Sequence, residues 1–238
     1  MKTSFLLRLL LDGVAAGLML LALAYYWLGN AVHEWLGTAM LGLVLAHNVF
    51  NRRWWAHIGS SARSGRGWFD RAWTLLLLAG MAALLLTSVL ISQNVFAFLQ
   101  AGGGFTARQL HLLAAYWVVV LVAVHLGVRW ARVMLAVRGA LRLSQASPLR
   151  VLVLRGAAAV VAGGGLLSAF DMGLGGKLAM QMSLDGWDFE AQAAGFFLRW
   201  ASIVGLGVAL THYTLVGVHA FQRRAARRTH PSTQGLPP

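Results

Sequence analysis

The sequence predicts an all-α fold, an integral membrane bundle of about six transmembrane helices with both termini in the cytoplasm. Three observations carry that reading. First, the 238 residues are 58% apolar and only 11% charged, with a mean hydropathy of +0.66, whereas an ordinary soluble domain carries about 25% charged and about 45–50% apolar residues. Second, the chain divides into six apolar runs, each near the roughly 20 residues that cross a bilayer as a helix. Third, the basic residues fall on alternate connections between those runs.

The runs follow in order. Run 5–28 begins after Lys2 and contains Arg8 and Asp12. Its apolar stretch toward Ala22-Leu23-Ala24 resembles a signal peptide, but Asp12 interrupts it, and removing it would leave an odd number of spans. Run 33–51 opens on His33-Glu34 and stops before Arg52-Arg53, run 72–93 follows Arg63, Arg66 and Arg71, and run 109–131 lies between Arg108 and Arg132. Run 149–170 ends before Asp171, and run 193–222 ends on Arg223-Arg224. Of 20 Lys and Arg residues, 17 lie at the N-terminus, in the second and fourth connections, or in the tail. The other side holds only Arg108, Lys177 and Arg199, with Glu34, Asp171, Asp185, Asp188 and Glu190. Cytoplasmic connections collect Lys and Arg, so both ends are expected inside.

The same geography removes nucleic acid as a partner, because the net charge of +13 is topological rather than gathered into a binding face. With no Cys in the chain, a disulfide framework, a thiolate metal site and covalently attached c-type haem are excluded. The division expected is a four-helix region over 1–137, two further spans over 138–222 with an outer loop at 171–192, and a disordered basic cytoplasmic tail over 223–238 that can touch anionic lipid. Trp54, Trp55, Trp68 and Trp73 read as an interfacial belt.

Histidine spacing points to function. The second run holds His33 and His47, the fourth His111 and His125, and both intervals are 14 residues. Fourteen helical steps end about 40° short of four full turns and rise about 21 Å. Both histidines of each run therefore face the same way, and His33 matches His111 in depth as His47 matches His125. Ionisable groups inside a bilayer are costly, so four at matched spacing and depth call for one cause. Facing imidazole pairs are the usual axial ligands of haem b in a membrane bundle, and a rise of about 20 Å leaves room for two stacked haems. A single dinuclear copper or zinc site needs its ligands within a few ångströms, so the two pairs are too far apart for it. Gly37, Gly42, Ala46, Ala114, Ala115 and Gly127 on these helices would suit either a porphyrin edge or ordinary helix packing.

The stretch from His33-Glu34-Trp35-Leu36-Gly37 through His47-Asn48 to Asn51-Arg52-Arg53-Trp54, followed by Arg108-Gln109-Leu110-His111, Ala115-Tyr116-Trp117 and His125-Leu126-Gly127, resembles the flavinylation-associated membrane cytochromes. The resemblance covers roughly residues 1–137. It implies a haem-binding membrane subunit that passes electrons across the membrane, often beside proteins bearing covalent flavin. Where the family carries a further His, this chain has Arg129-Trp130, so no ligand is carried over there.

The expectation is a cytochrome with two b-type haems, transferring electrons between the quinone pool or an inner donor and an outer-face redox partner. Two alternatives stand beside it: a cytochrome b anchor subunit of a respiratory oxidoreductase, and a transporter or metal-handling permease. Arg52, Arg53 and Arg108 lie one turn from proposed ligands and are candidate partners for haem propionates. Asp12 is a candidate proton or quinone site. His212 and His219, seven residues apart and therefore about 20° off a common face, are candidates for a quinone pocket, with ligation or simple interhelical bonding as the rival readings. The acidic outer loop is a candidate docking surface for the electron acceptor.

Overall fold

A computed structural model of the chain describes residues 3–56, 65–143, 147–181 and 186–229. The described residues form helices α1 (Thr3–Ala22), α2 (Tyr25–Phe50), α3 (Arg52–Ala56), α4 (Gly65–Ile91), α5 (Gly104–Ala140), α6 (Pro148–Asp171), α7 (Leu174–Leu178) and α8 (Phe189–Thr229), with one short 3₁₀ turn at Ala97–Leu99. Four of these, α4, α5, α6 and α8, are long and apolar enough to cross a membrane. In α2 the apolar run is broken by Asn30, His33, Glu34, His47 and Asn48. In α1, 20 residues long, the apolar run is broken by Arg8 and Asp12.

Helix ends depart from the expected runs for local reasons. The first run was expected to reach residue 28, but α1 stops at Ala22, Ala24 is fully buried, and Gly29 interrupts α2 with φ 74° and ψ 169°. Glycine adopts that backbone without steric cost, so the chain reverses here in few residues. Helix α6 starts on Ser147, whose Oγ accepts from the Arg150 N–H, with Pro148 in the first turn. Helix α8 continues through Ala225 to Thr229, so the stretch 223–229, expected as disordered tail, is helical. Alanine and arginine are strong helix formers, and arginines near a C-terminus complement the helix dipole. The rest of the expected tail, 230–238, lies outside the described residues.

Helix α5 is central. It packs against α4 on one side and α8 on the other, with α6 outside α8 and α1 against α2. Close approach depends on missing side chains: a Cβ on Gly127 would lie 2.6 Å from Thr211 Cβ, and one on Gly207 would lie 2.7 Å from Ala123 Cβ. Gly165 meets the Ser202 carbonyl and Leu206 in the same way across α6 and α8. In a membrane, where lipid is as apolar as leucine, such packing of small residues holds helices together. The buried cluster of Ala24, Val119, Phe196, Trp200 and Ile203 lies where α1, α5 and α8 converge. Large apolar side chains cover the outside, with Val160 at 76%, Phe170 at 77% and Leu86 at 62% exposure. Such a surface suits lipid rather than water.

The first half of the connection between α6 and α8 is folded, and residues 182–185 of the expected loop lie outside the described residues. Helix α7 occupies its first half, Trp117 Nε1 donates to the Leu178 carbonyl at 3.2 Å, and Met172 packs on the buried cluster. Lys177 is buried, with Nζ 5.6 Å from the centre of the Tyr116 ring.

Candidate functional site

By helical period, α5 divides its faces cleanly. Val118, Leu121 and Arg129 meet α4: a Cβ on Gly80 would touch Leu121 and Val118, and Arg129 donates to both carboxylate oxygens of Asp70 at 3.0 Å. His111 and His125 share this side. Ala123 and Gly127 occupy the opposite side, against α8.

Helix α2 packs chiefly on α1 and only lightly on α4. Between α2 and α5 this leaves a cavity of about 470 Å³, lined among others by His33, Gly37, Arg108, His111 and Ala115. Sites for small organic ligands fall in this size class. The His33 and His111 rings face each other there, with centres 6.0 Å apart and planes at 74°. Two imidazoles on opposite sides of one metal ion, with metal–nitrogen distances of about 2 Å, place their ring centres roughly 6 Å apart. His111 Nδ1 lies 3.3 Å from Thr87 Oγ1 and 3.4 Å from Ser88 Oγ, which turns its Nε2 away from α4. His33 packs edge-on against Tyr25, and its Nδ1 is buried with no hydrogen-bond partner. Nothing stands within 4 Å of a Cβ built on Gly37 or Gly42.

Glu34 fixes this corner, a role invisible in the spacing. Its carboxylate accepts from Ser92 Oγ at 2.6 Å, from the N–H groups of Gln93, Asn94 and Val95 at 2.8–2.9 Å, and from the side-chain amides of Asn30 and Asn94. An anion in a nest of backbone amides ties the start of α2 to the turn that ends α4.

At the other level, His47 Nδ1 lies 2.7 Å from Asp12 Oδ1, joining α2 to α1. His125 is within electrostatic reach of His47, Asp12, Asp70 and Arg129. Among the described residues, no three His, Asp or Glu side chains converge as ligands for one ion.

The remaining candidates fall elsewhere. Arg52 and Arg53 lie on α3, exposed at the end of α2. His212 rests edge-on against Tyr213, and His219 is half-buried two turns on. Both belong to α8, which packs on the face of α5 opposite His125. Gly127 serves the α5–α8 contact rather than the cavity, whereas Gly37 and Ala115 line the cavity. Trp73, expected in an interfacial belt, donates from Nε1 to the Leu121 carbonyl at 3.1 Å. In the connection between α6 and α8, Asp171 is paired with Arg199 and Asp188 accepts from the Ala191 N–H at the start of α8. Two of its four acids are thus used internally, and Asp185 lies outside the described residues.

The fold and its apolar exterior define an all-helical integral membrane protein. No family model, curated protein or solved structure matches the chain.

Proposed function

We propose that the chain is a b-type cytochrome of the cytoplasmic membrane that carries electrons between a donor at the inner face, either quinol or a soluble reductant, and a redox partner outside. In this reading six helices cross the bilayer, with both termini inside, as the charge alternation requires. One haem is held by His33 and His111, the other by His47 and His125. The observation that carries the reading is the His33–His111 pair, facing across a cavity at the ring separation that ligation of one ion requires.

The bound haem supplies a reversible one-electron couple, and the chain's own residues do the rest. His111 is oriented by Thr87 and Ser88, His33 is set by the Glu34 anchor one residue away, and His47 is oriented by Asp12. Such outer contacts fix a ligand's ring orientation and raise its basicity. Arg108 contributes a cation to the cavity wall, where it would pair with a propionate.

Purified full-length protein is expected to show reduced-minus-oxidised b-type bands with two haems per chain. His33→Ala or His111→Ala removes one haem and His47→Ala or His125→Ala the other. Because one missing ligand already opens a site, the double variant within a pair loses no more haem than either single variant. A colourless full-length preparation overturns the proposal.

A further inference from the structure

The two histidine levels differ in what stands behind the ligands. At the inner level a carboxylate bonds directly to a ligand ring, Asp12 Oδ1 to His47 Nδ1 at 2.7 Å. At the outer level no carboxylate bonds to a ligand ring: His111 Nδ1 lies 3.3 and 3.4 Å from the neutral hydroxyls of Thr87 and Ser88, with the neutral Leu84 carbonyl beside the ring, and His33, whose Nδ1 has no hydrogen-bond partner, lies beside the neutral Ala22 carbonyl. The carboxylate nearest that level, Glu34, is within electrostatic reach of His33 but bonds to no histidine ring and is surrounded by the amides and hydroxyl it accepts from, while the cation Arg108 lines the cavity. Other charges do not erase the contrast. Arg129 is paired with Asp70, Arg8 lies with its guanidinium 6.0 Å over the Phe50 ring, and exposed Arg52 and Arg53 sit at an interface where salt screens charges within about 10 Å. The Asp12 and His47 side chains are each nearly half exposed at the α1–α2 contact, and in the six-span reading that exposed side meets lipid, where charges are screened less than in water.

We propose that Asp12, through its hydrogen bond to His47, holds the inner haem at a lower reduction potential than the outer one, so that electrons run downhill from the His47–His125 level to the His33–His111 level. This rests on the two-haem reading above. A carboxylate on the far nitrogen of an imidazole ligand increases its electron donation, which stabilises the oxidised iron. A cation beside the outer site favours its reduced iron. One electron lost at the inner level is gained at the outer level, and no bond or proton changes place.

The test is a potentiometric titration of the purified full-length protein in detergent, followed in the b-type absorption bands. The wild type should titrate in two steps, with the lower one missing from His47→Ala. Asp12→Asn should keep both haem spectra, raise the lower step and leave the higher one in place. An unmoved lower step, or loss of the higher step in His47→Ala, overturns the inference while leaving the two-haem reading intact. If Asp12→Asn fails to hold the inner haem, Asp12→Glu decides: unchanged potentials in this charge-retaining variant support the inference, and a raised lower step overturns it. Protein without b-type bands removes the cytochrome reading and this inference together.

Discussion

At the scale of single residues, the polar group with the most partners is the Glu34 carboxylate. Glu34 accepts from Ser92, Gln93, Asn94, Val95 and Asn30. Glu34→Gln replaces one acceptor oxygen by a donor facing backbone N–H groups, at a cost of about 1–3 kcal/mol. The expected result is an apparent melting temperature in detergent lowered by several degrees, together with weakened haem retention at the His33–His111 site only. Unchanged melting would show that the nest is not a structural anchor. Arg108→Gln is expected to leave the fold intact, because Arg108 lies on the cavity wall. It should lower the potential of the higher step by removing a cation, which the same potentiometric titration reads.

At the scale of elements, the contrast is between helices that meet through glycine and helices held apart. Gly127→Ala inserts a methyl group 2.9 Å from the Val208 carbonyl and 2.6 Å from Thr211 Cβ. Overpacking of this kind costs about 1–3 kcal/mol. Gly42→Ala meets nothing within 4 Å and should be tolerated by the fold. Thermal unfolding of both variants should therefore separate them clearly, and equal melting would count against the close α5–α8 crossing. The opening between α2 and α5 follows from the same logic, since α2 packs mainly on α1 and supplies the cavity wall through His33, Gly37 and Thr38.

At the scale of the molecule, the decisive property is orientation. The chain contains no Cys, so a cysteine introduced anywhere is a unique label site. Cysteines placed at Gly175 in α7 and at Ala140 at the end of α5 should react with a membrane-impermeant maleimide from opposite sides, the first from outside and the second only after the cells are opened. Labelling of both from one side would overturn the charge-based topology and the electron path built on it.

Much of this was legible in the sequence. Composition and run length show a helical membrane chain because a bilayer demands internally satisfied backbone and apolar side chains in long stretches. The equal spacing of His33 and His47 against His111 and His125 is also readable, since the helical period alone puts each pair on one face. What spacing could not decide is anything set between helices distant in sequence. Asp12 read as a candidate proton or quinone site in the first run, and only the packing of α1 on α2 makes it the partner of His47. His219 shares the depth of the inner pair in sequence, yet α8 packs on the other face of α5, because Ala123 and Gly127 offer the close approach there. The outer connection looked like a free acidic loop until Asp171 and Asp188 proved to be used by Arg199 and the start of α8. Periodicity acts within one element, whereas the partners of a side chain depend on which helix faces are small enough to meet, and that is decided by packing in three dimensions.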